Sequence, residues 1–203
     1  MVEVAGSCPP HLLQAARQLM AEHGYAAMTM RQLAGRVGLL PGSLYHHVAC
    51  KQDLLLTVLL DIVERRVEAW EKGSHTRDLA GFVGFLLQRQ CSHPDEEVLL
   101  HHEARFLEAA QRNWLDKALA RLGQPLVRII EGSWLTPDGR KACAAILAVI
   151  DAAGSLRVQG HDEAWVNAQA LKICHMLARD CVGGFGGAIA GKPALTGPHC
   201  QRE

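Results

Sequence analysis

The sequence predicts an all-α protein, with an N-terminal helix-turn-helix domain and a larger helical domain behind it. Three observations carry this. Apolar residues recur at i, i+3, i+4 and i+7 in one segment after another, the spacing of a helix face. No alternating apolar and polar run is long enough to propose a sheet. Of the residues, 49% are hydrophobic and only 5% aromatic, which suits helices packed through aliphatic side chains.

The chain has 203 residues, enough for a sizeable core and for one or two domains. Lys and Arg number 21, as do Asp and Glu, so the net charge is zero. That excludes a polycation throughout, and nucleic-acid binding would need a local basic patch. No basic start leads into an apolar run, so no signal peptide is expected. No apolar run is long enough to span a bilayer. Cys8, Cys50, Cys91, Cys143, Cys174, Cys181 and Cys200 are scattered and odd in number. Without an export signal they read as reduced thiols in a cytoplasmic protein.

Taken in order, residues 1–10 read as an arm. The first helix is expected over 10–23, with Leu12, Ala16, Leu19 and Met20 on one face, and Gly24 ends it. Thr29 and Gln32 form a capping box, each satisfying a free backbone N–H at a helix start. Met30, Leu33, Ala34 and Val37 then make one apolar face. Gly38 stands where a left-handed residue closes a helix. Pro41 suits a first helical position, where its missing N–H would go unpaired anyway. Leu44 and Val48 give that helix an apolar side, leaving Ser43, Tyr45 and His46 facing outward. A fourth helix is expected from Cys50 or Lys51 to about Lys72. Leu54, Leu55, Val58, Leu59 and Ile62 form its buried stripe, and Glu64, Arg65 and Arg66 are expected in solvent.

Two short helices around a glycine-containing turn make a helix-turn-helix, whose second helix can enter the DNA major groove. Residues 29–51 carry Arg31, Arg36 and Lys51 and no acid, so they can pair with phosphates. The same pattern also suits an ordinary helical hairpin with a solvated basic face.

The run GLLPGSLYHHVACKQDL, residues 38–54, resembles the recognition-helix signature of the tetracycline-repressor (TetR) family. Gly38, Gly42, Ser43, Leu44, Tyr45, His46, Lys51 and Leu54 stand on that pattern, and the upstream GYAAMTMRQLA, residues 24–34, is similar too. The resemblance covers residues 11–60. It implies DNA contacts from Thr29, Arg31, Pro41, Gly42, Ser43, Tyr45, His46 and Lys51. Two positions depart from the family's pattern. Leu40 stands where a Ser or Thr cap is usual, a loss of about 1 kcal/mol, and Cys50 where Ser or Asn is usual.

Beyond residue 60 further helices are expected over 76–90, 95–110, 114–131, 140–158 and 162–182, with a possible kink at Pro125 and a loop over 132–139. The domains are therefore placed at 1–56 (DNA-binding) and 57–183 (effector-binding and dimerisation), with a flexible tail at 184–203. In the penultimate helix Ala144, Ala148, Ala152 and Ser155 fall close to one face, and in the last Leu171, His175, Ala178 and Val182 form a stripe. Packing within one chain would explain both stripes. The family resemblance implies instead a four-helix contact between two copies, which would present two readers to a palindromic operator.

The resemblance also implies an effector cavity in the middle helices. By residue type its candidates are Phe82, Phe85, Leu86, Leu99, His102, Phe106, Trp114, Trp134 and Cys143, with His102 as the polar anchor, since such cavities are mostly apolar with a few polar groups. The same side chains also suit a plain core. Residues 186–192 fit G-x-x-x-x-G-K, but Pro193 supplies no hydroxyl and no strand precedes, so no phosphate loop is expected. His101, His102, Cys174, His175 and Cys181 lack metal-site spacing, and no nucleophile-elbow motif accompanies any serine. No enzyme, metal or cofactor is expected. The expected function is a homodimeric transcriptional repressor that binds double-stranded DNA and is released by a small, largely apolar molecule. A thiol- or metal-responsive regulator with the same reader is the alternative.

Overall fold

The computed structural model describes residues 8–131 and 137–183. All the elements among them are helical, and no helix there is long and apolar enough to cross a membrane. Helix α1 spans Pro10–Ala27, α2 Met30–Val37, α3 Pro41–Leu44 and α4 Lys51–Lys72. Then come α5 (Leu79–Ser92), α6 (Pro94–Val98), α7 (Ala109–Glu131), α8 (Pro137–Val158) and α9 (Glu163–Gly183).

The N-terminal helices follow the local chemistry expected of them. Gly24 breaks α1 with φ 78° and ψ 153°, a conformation that costs glycine no steric clash. The capping box closes as expected: Gln32 N–H donates to Thr29 Oγ1 at 3.2 Å, and Thr29 N–H to Gln32 Oε1 at 2.7 Å. Gly38 ends α2 in the left-handed region at φ 70°. Leu40 makes no side-chain bond at the start of α3. Cys50 takes over the role its position demands, because its Sγ accepts the Asp53 N–H at 3.4 Å.

Three expectations are corrected in the body. Helix α5 begins later than residue 76, because Asp78 caps it, accepting from Gly81 N–H at 2.8 Å and from Thr76 Oγ1 at 2.9 Å. The single helix expected over 95–110 is broken: α6 passes into a π-helical turn at Leu99–Glu103 and a 3-10 turn at Ala104–Phe106. Val98 and His102 are exposed, while Glu103 and Phe106 pack onto Tyr25 of the N-terminal helices. Arg66, expected in solvent, is buried because carboxylates from α6 cover it. Helix α7 runs through Pro125 without splitting.

The core is continuous from end to end. Leu12, Leu19 and Met20 of α1 meet Leu54, Leu55, Val58 and Ile62 of α4, and the cluster extends through Phe82, Leu99 and Leu126 to Ile146, Ile150 and Cys174. Each fully buried side chain of this size contributes about 1.5–3 kcal/mol. The arm at 1–7, Trp134, and the tail at 184–203 with its glycine-lysine run lie outside the described residues.

Candidate DNA interface and effector groove

Leu33 and Ala34 of α2, with Leu44 and Val48 in and after α3, are buried. This fixes what the two helices turn outward. Thr29, Arg31, Pro41, Gly42, Tyr45 and His46 are exposed, and Ser43 is half-buried. Tyr45 is 54% exposed although it is a large ring. The three cations of the patch are not equivalent. The side chain of Arg31 has no hydrogen bond or ion pair among the described residues. Arg36 pairs with Glu22 at 2.9 Å, a contact that holds the Glu22 carboxyl below its usual range. Lys51 is half-buried: its Nζ donates to the Ala26 carbonyl at 3.1 Å and sits 4.4 Å from the Tyr25 ring centroid. Burial lowers its pKa. Lys51 therefore braces the break after α1 and turns its charge partly inward.

The N-terminal helices are tied to the body at two places. In one, Tyr25 packs against Phe106 at 5.1 Å, its N–H donates to Glu103, and Gln52 Nε2 donates to the Phe106 carbonyl at 2.7 Å. In the other, the fully buried Glu96 of α6 collects arginines from three helices. Arg17 of α1 approaches it at 3.2 Å, Arg66 of α4 at 3.4 Å and Arg89 of α5 at 3.3 Å. Arg66 also pairs with Glu97. Buried carboxylates need such partners, since an unpaired charge inside protein costs several kcal/mol.

A groove of about 740 Å³ opens between α6 with its π turn and the C-terminal half of α8. Glu97, Val98, His101 and His102 face Asp151, Ala152 and Ser155 across it, and Gln90 and Cys91 of α5 also line it. His101 Nε2 lies 3.3 Å from Glu97 and 3.8 Å from Asp151. The Glu97 hydrogen bond raises the His101 pKa, outweighing burial. Burial pushes Glu97 upward, yet His101 and Arg66 hold it below its usual value, while burial raises Asp151. Buried Gln90 donates to the Ile150 carbonyl at 3.1 Å and accepts from Arg157 at 2.9 Å, fixing α8 against α5 beside the groove.

Known proteins resemble this chain in the sequence of its N-terminal helices and in its fold. The model of the family described as "Bacterial regulatory proteins, tetR family" matches residues 12–58, the helices just described. Residues 12–58 therefore carry a TetR-type helix-turn-helix region. Over 53 residues it is 42% identical to the HTH-type transcriptional repressor KstR2 of Mycolicibacterium smegmatis, covering 26% of each chain. Over 72 residues it is 35% identical to the repressor AcnR of Corynebacterium glutamicum, covering 36% of this chain and 38% of that one. The matched stretch thus spans between about a quarter and two-fifths of these relatives' length. Among solved structures, a TetR transcription regulator from Haloarcula marismortui has a similar fold, with TM-score 0.67 and 23% identity over 83% of this chain and 95% of that one. The regulator FadR of Bacillus subtilis, solved with stearoyl-CoA, is similar at TM-score 0.65 and 19% identity, over 80% and 95%.

The side chains proposed for an effector chamber are not gathered at one place. Phe82 is buried edge-on against Trp70 at 5.1 Å, and Phe85 lies 5.5 Å from the same indole. Leu86, Leu99 and Cys143 are buried in the common core. Phe106 lies at the Tyr25 junction, and Trp114 is 39% exposed on α7. Of the nine candidates, eight lie among the described residues, and of these only His102 lines the groove. Residue type favoured large apolar side chains, whereas the groove is lined by small and polar ones such as Ala152, Ser155 and Gln90. The sequence had singled out Ala152 and Ser155 for a contact between copies, not for a groove. The thiols are contrasted: Cys50 is exposed, while burial pushes Cys174 up to about 11, far above a reactive thiolate.

Proposed function

We propose that the protein is a homodimeric transcriptional repressor that reads a palindromic operator through α2 and α3 and is released by a small organic ligand held in the 740 Å³ groove. The observation that carries this reading is the outward set Thr29, Arg31, Tyr45 and His46 on a capped, buried-backed helix pair. The groove supports the ligand, since its volume falls within the range of small-molecule sites, about 300–1,000 Å³. A second copy is supported by α8 and α9. Ala144 and Ala148, the members of the small-residue stripe of α8 that do not line the groove, are exposed. Trp165, Ile173 and Met176 of α9 are 51%, 43% and 59% exposed. Small residues beside exposed large apolar ones suit close helix packing between copies.

The ligand acts by preferring a spacing of the two readers that no longer fits successive groove faces, because only differential affinity shifts such an equilibrium. Selection of bound duplexes from a random pool, with sedimentation of the free protein, tests the reading. An inverted repeat with half-sites about one helical turn apart is expected. A monomer at micromolar concentration, or no enriched sequence, overturns it.

A further inference from the structure

We propose that Leu40 reads the 5-methyl group of a thymine in the major groove and makes each half-site thymine-selective at one position. The inference rests on the DNA-reading role proposed above. Among the described residues Leu40 is the most exposed of the large apolar side chains, at 76%.

Its backbone is held on both sides. The Leu39 N–H donates to the Ala34 carbonyl at 2.9 Å, and the Leu40 carbonyl accepts the Ser43 N–H at 2.9 Å. Leu39 packs against the core, whereas the Leu40 side chain points away from it. The residue is thus a fixed apolar projection at the front of the reading helix.

What surrounds it sharpens the chemistry. Pro41 and Gly42 are exposed and carry no polar side-chain atom, and nothing lies within 4 Å of where a Gly42 Cβ would stand. The surface from Leu40 to Gly42 therefore offers no side-chain hydrogen-bonding group, and leaves polar readout to Tyr45 and His46. Against such a surface a base edge rich in donors and acceptors would lose its water without gaining partners. Thymine alone among the four bases presents a methyl group in the major groove. A Ser or Thr at position 40 would cap α3 and could bond a phosphate. Leu gives up both and gains only apolar contact.

The test uses the full-length protein and its selected operator. Each thymine is replaced in turn by deoxyuridine, which removes the methyl group and nothing else. One thymine per half-site should lose affinity about fourfold, the change for re-exposing one methylene-sized group. Leu40→Ala should bind the thymine and uracil operators alike. Leu40→Ser should do the same while its thermal stability stays at or above that of the wild type, since it gains a cap. The inference is overturned if uracil is tolerated at every position, or if discrimination survives in Leu40→Ala. If no duplex is selected at all, the DNA-reading role falls, and this inference with it. If an operator is found but methyl groups do not matter, only the Leu40 inference falls.

Discussion

The Glu103 carboxylate accepts the Tyr25 backbone N–H at 3.0 Å, although the two residues stand 78 positions apart. Tyr25 follows the Gly24 break that ends the regular part of α1. Glu103 closes the π-helical turn whose preceding residues, His101 and His102, line the groove. One turn of backbone therefore touches both the groove and the N-terminal helices of the proposed DNA reader. π-helical turns are rare and concentrate at functional sites.

Glu103→Ala is expected to leave the half-buried Tyr25 N–H without an acceptor. The loss should be about 1–3 kcal/mol of stability, with weaker operator binding because the start of α2 loosens. Glu103→Gln retains an acceptor oxygen and should fall between the two. Urea unfolding and operator titration of both variants check this, and three indistinguishable proteins would remove Glu103 from the coupling.

Glu96→Ala should be more damaging. It leaves Arg17, Arg66 and Arg89 facing one another around an empty site. Removing one partner of a buried ionic cluster typically costs about 3–5 kcal/mol. Arg17→Ala removes only the link to α1, so it should lower operator affinity more than its smaller effect on unfolding implies. A Glu96→Ala protein as stable as the wild type would show that water reaches these arginines.

The N-terminal helices proposed to read DNA were legible because their signals are local. Thr29 and Gln32, Gly38 and Pro41 each act within a few residues, so spacing alone places them. The body was less so. Arg66 sits on α4 beside Arg65, and nothing in its neighbours tells which of the two a distant α6 will cover. The break at Leu99–Glu103 was hidden for the same reason: it answers to Tyr25 and Gln52, not to its own sequence. Candidate effector residues chosen for size fell in the core, where large apolar side chains belong, and the groove formed where smaller ones leave space.

His101 gives the fold a pH dependence with a definite sign. Its folded pKa is raised above 6.5 by the Glu97 hydrogen bond and by Asp151, against burial and Arg66. Its stabilising contribution is then fully present below about pH 6.5, the unfolded value, and is lost as pH rises through the folded value. Glu97, held below its usual value, contributes in the opposite sense and is lost only at the acid end. His101→Asn should therefore narrow the stability gap between pH 6 and pH 8. Urea midpoints that fall in parallel for both proteins would remove His101 as the source.

Ala148→Arg tests the proposed contact between copies. Ala148 is exposed in the single chain, so the substitution should leave monomer folding nearly unchanged. At a two-fold contact it would bring two like charges together without partners, which is strongly unfavourable. Sedimentation should show monomers for the variant and dimers for the wild type. A variant that dimerises normally places the contact elsewhere.

The last prediction orders the three cations of the DNA-reading patch by how much charge each has free. Arg31 is exposed and its side chain has no partner among the described residues, which leaves its charge available to a phosphate. Arg31→Ala should weaken binding to all sequences alike and flatten the dependence of log affinity on log salt by about one unit. Arg36 must first leave Glu22, a surface pair worth about 0–1 kcal/mol, so Arg36→Ala should flatten the slope less. Lys51 differs in kind. Its ammonium holds the Ala26 carbonyl and covers the Tyr25 ring, so Lys51→Ala should cost stability as well as affinity. Lys51→Met keeps the stem but loses the hydrogen bond and the charge, and should separate packing from electrostatics. If Lys51→Ala flattened the salt slope as fully as Arg31→Ala while unfolding like the wild type, Lys51 would turn outward on DNA and its inward contacts would be incidental.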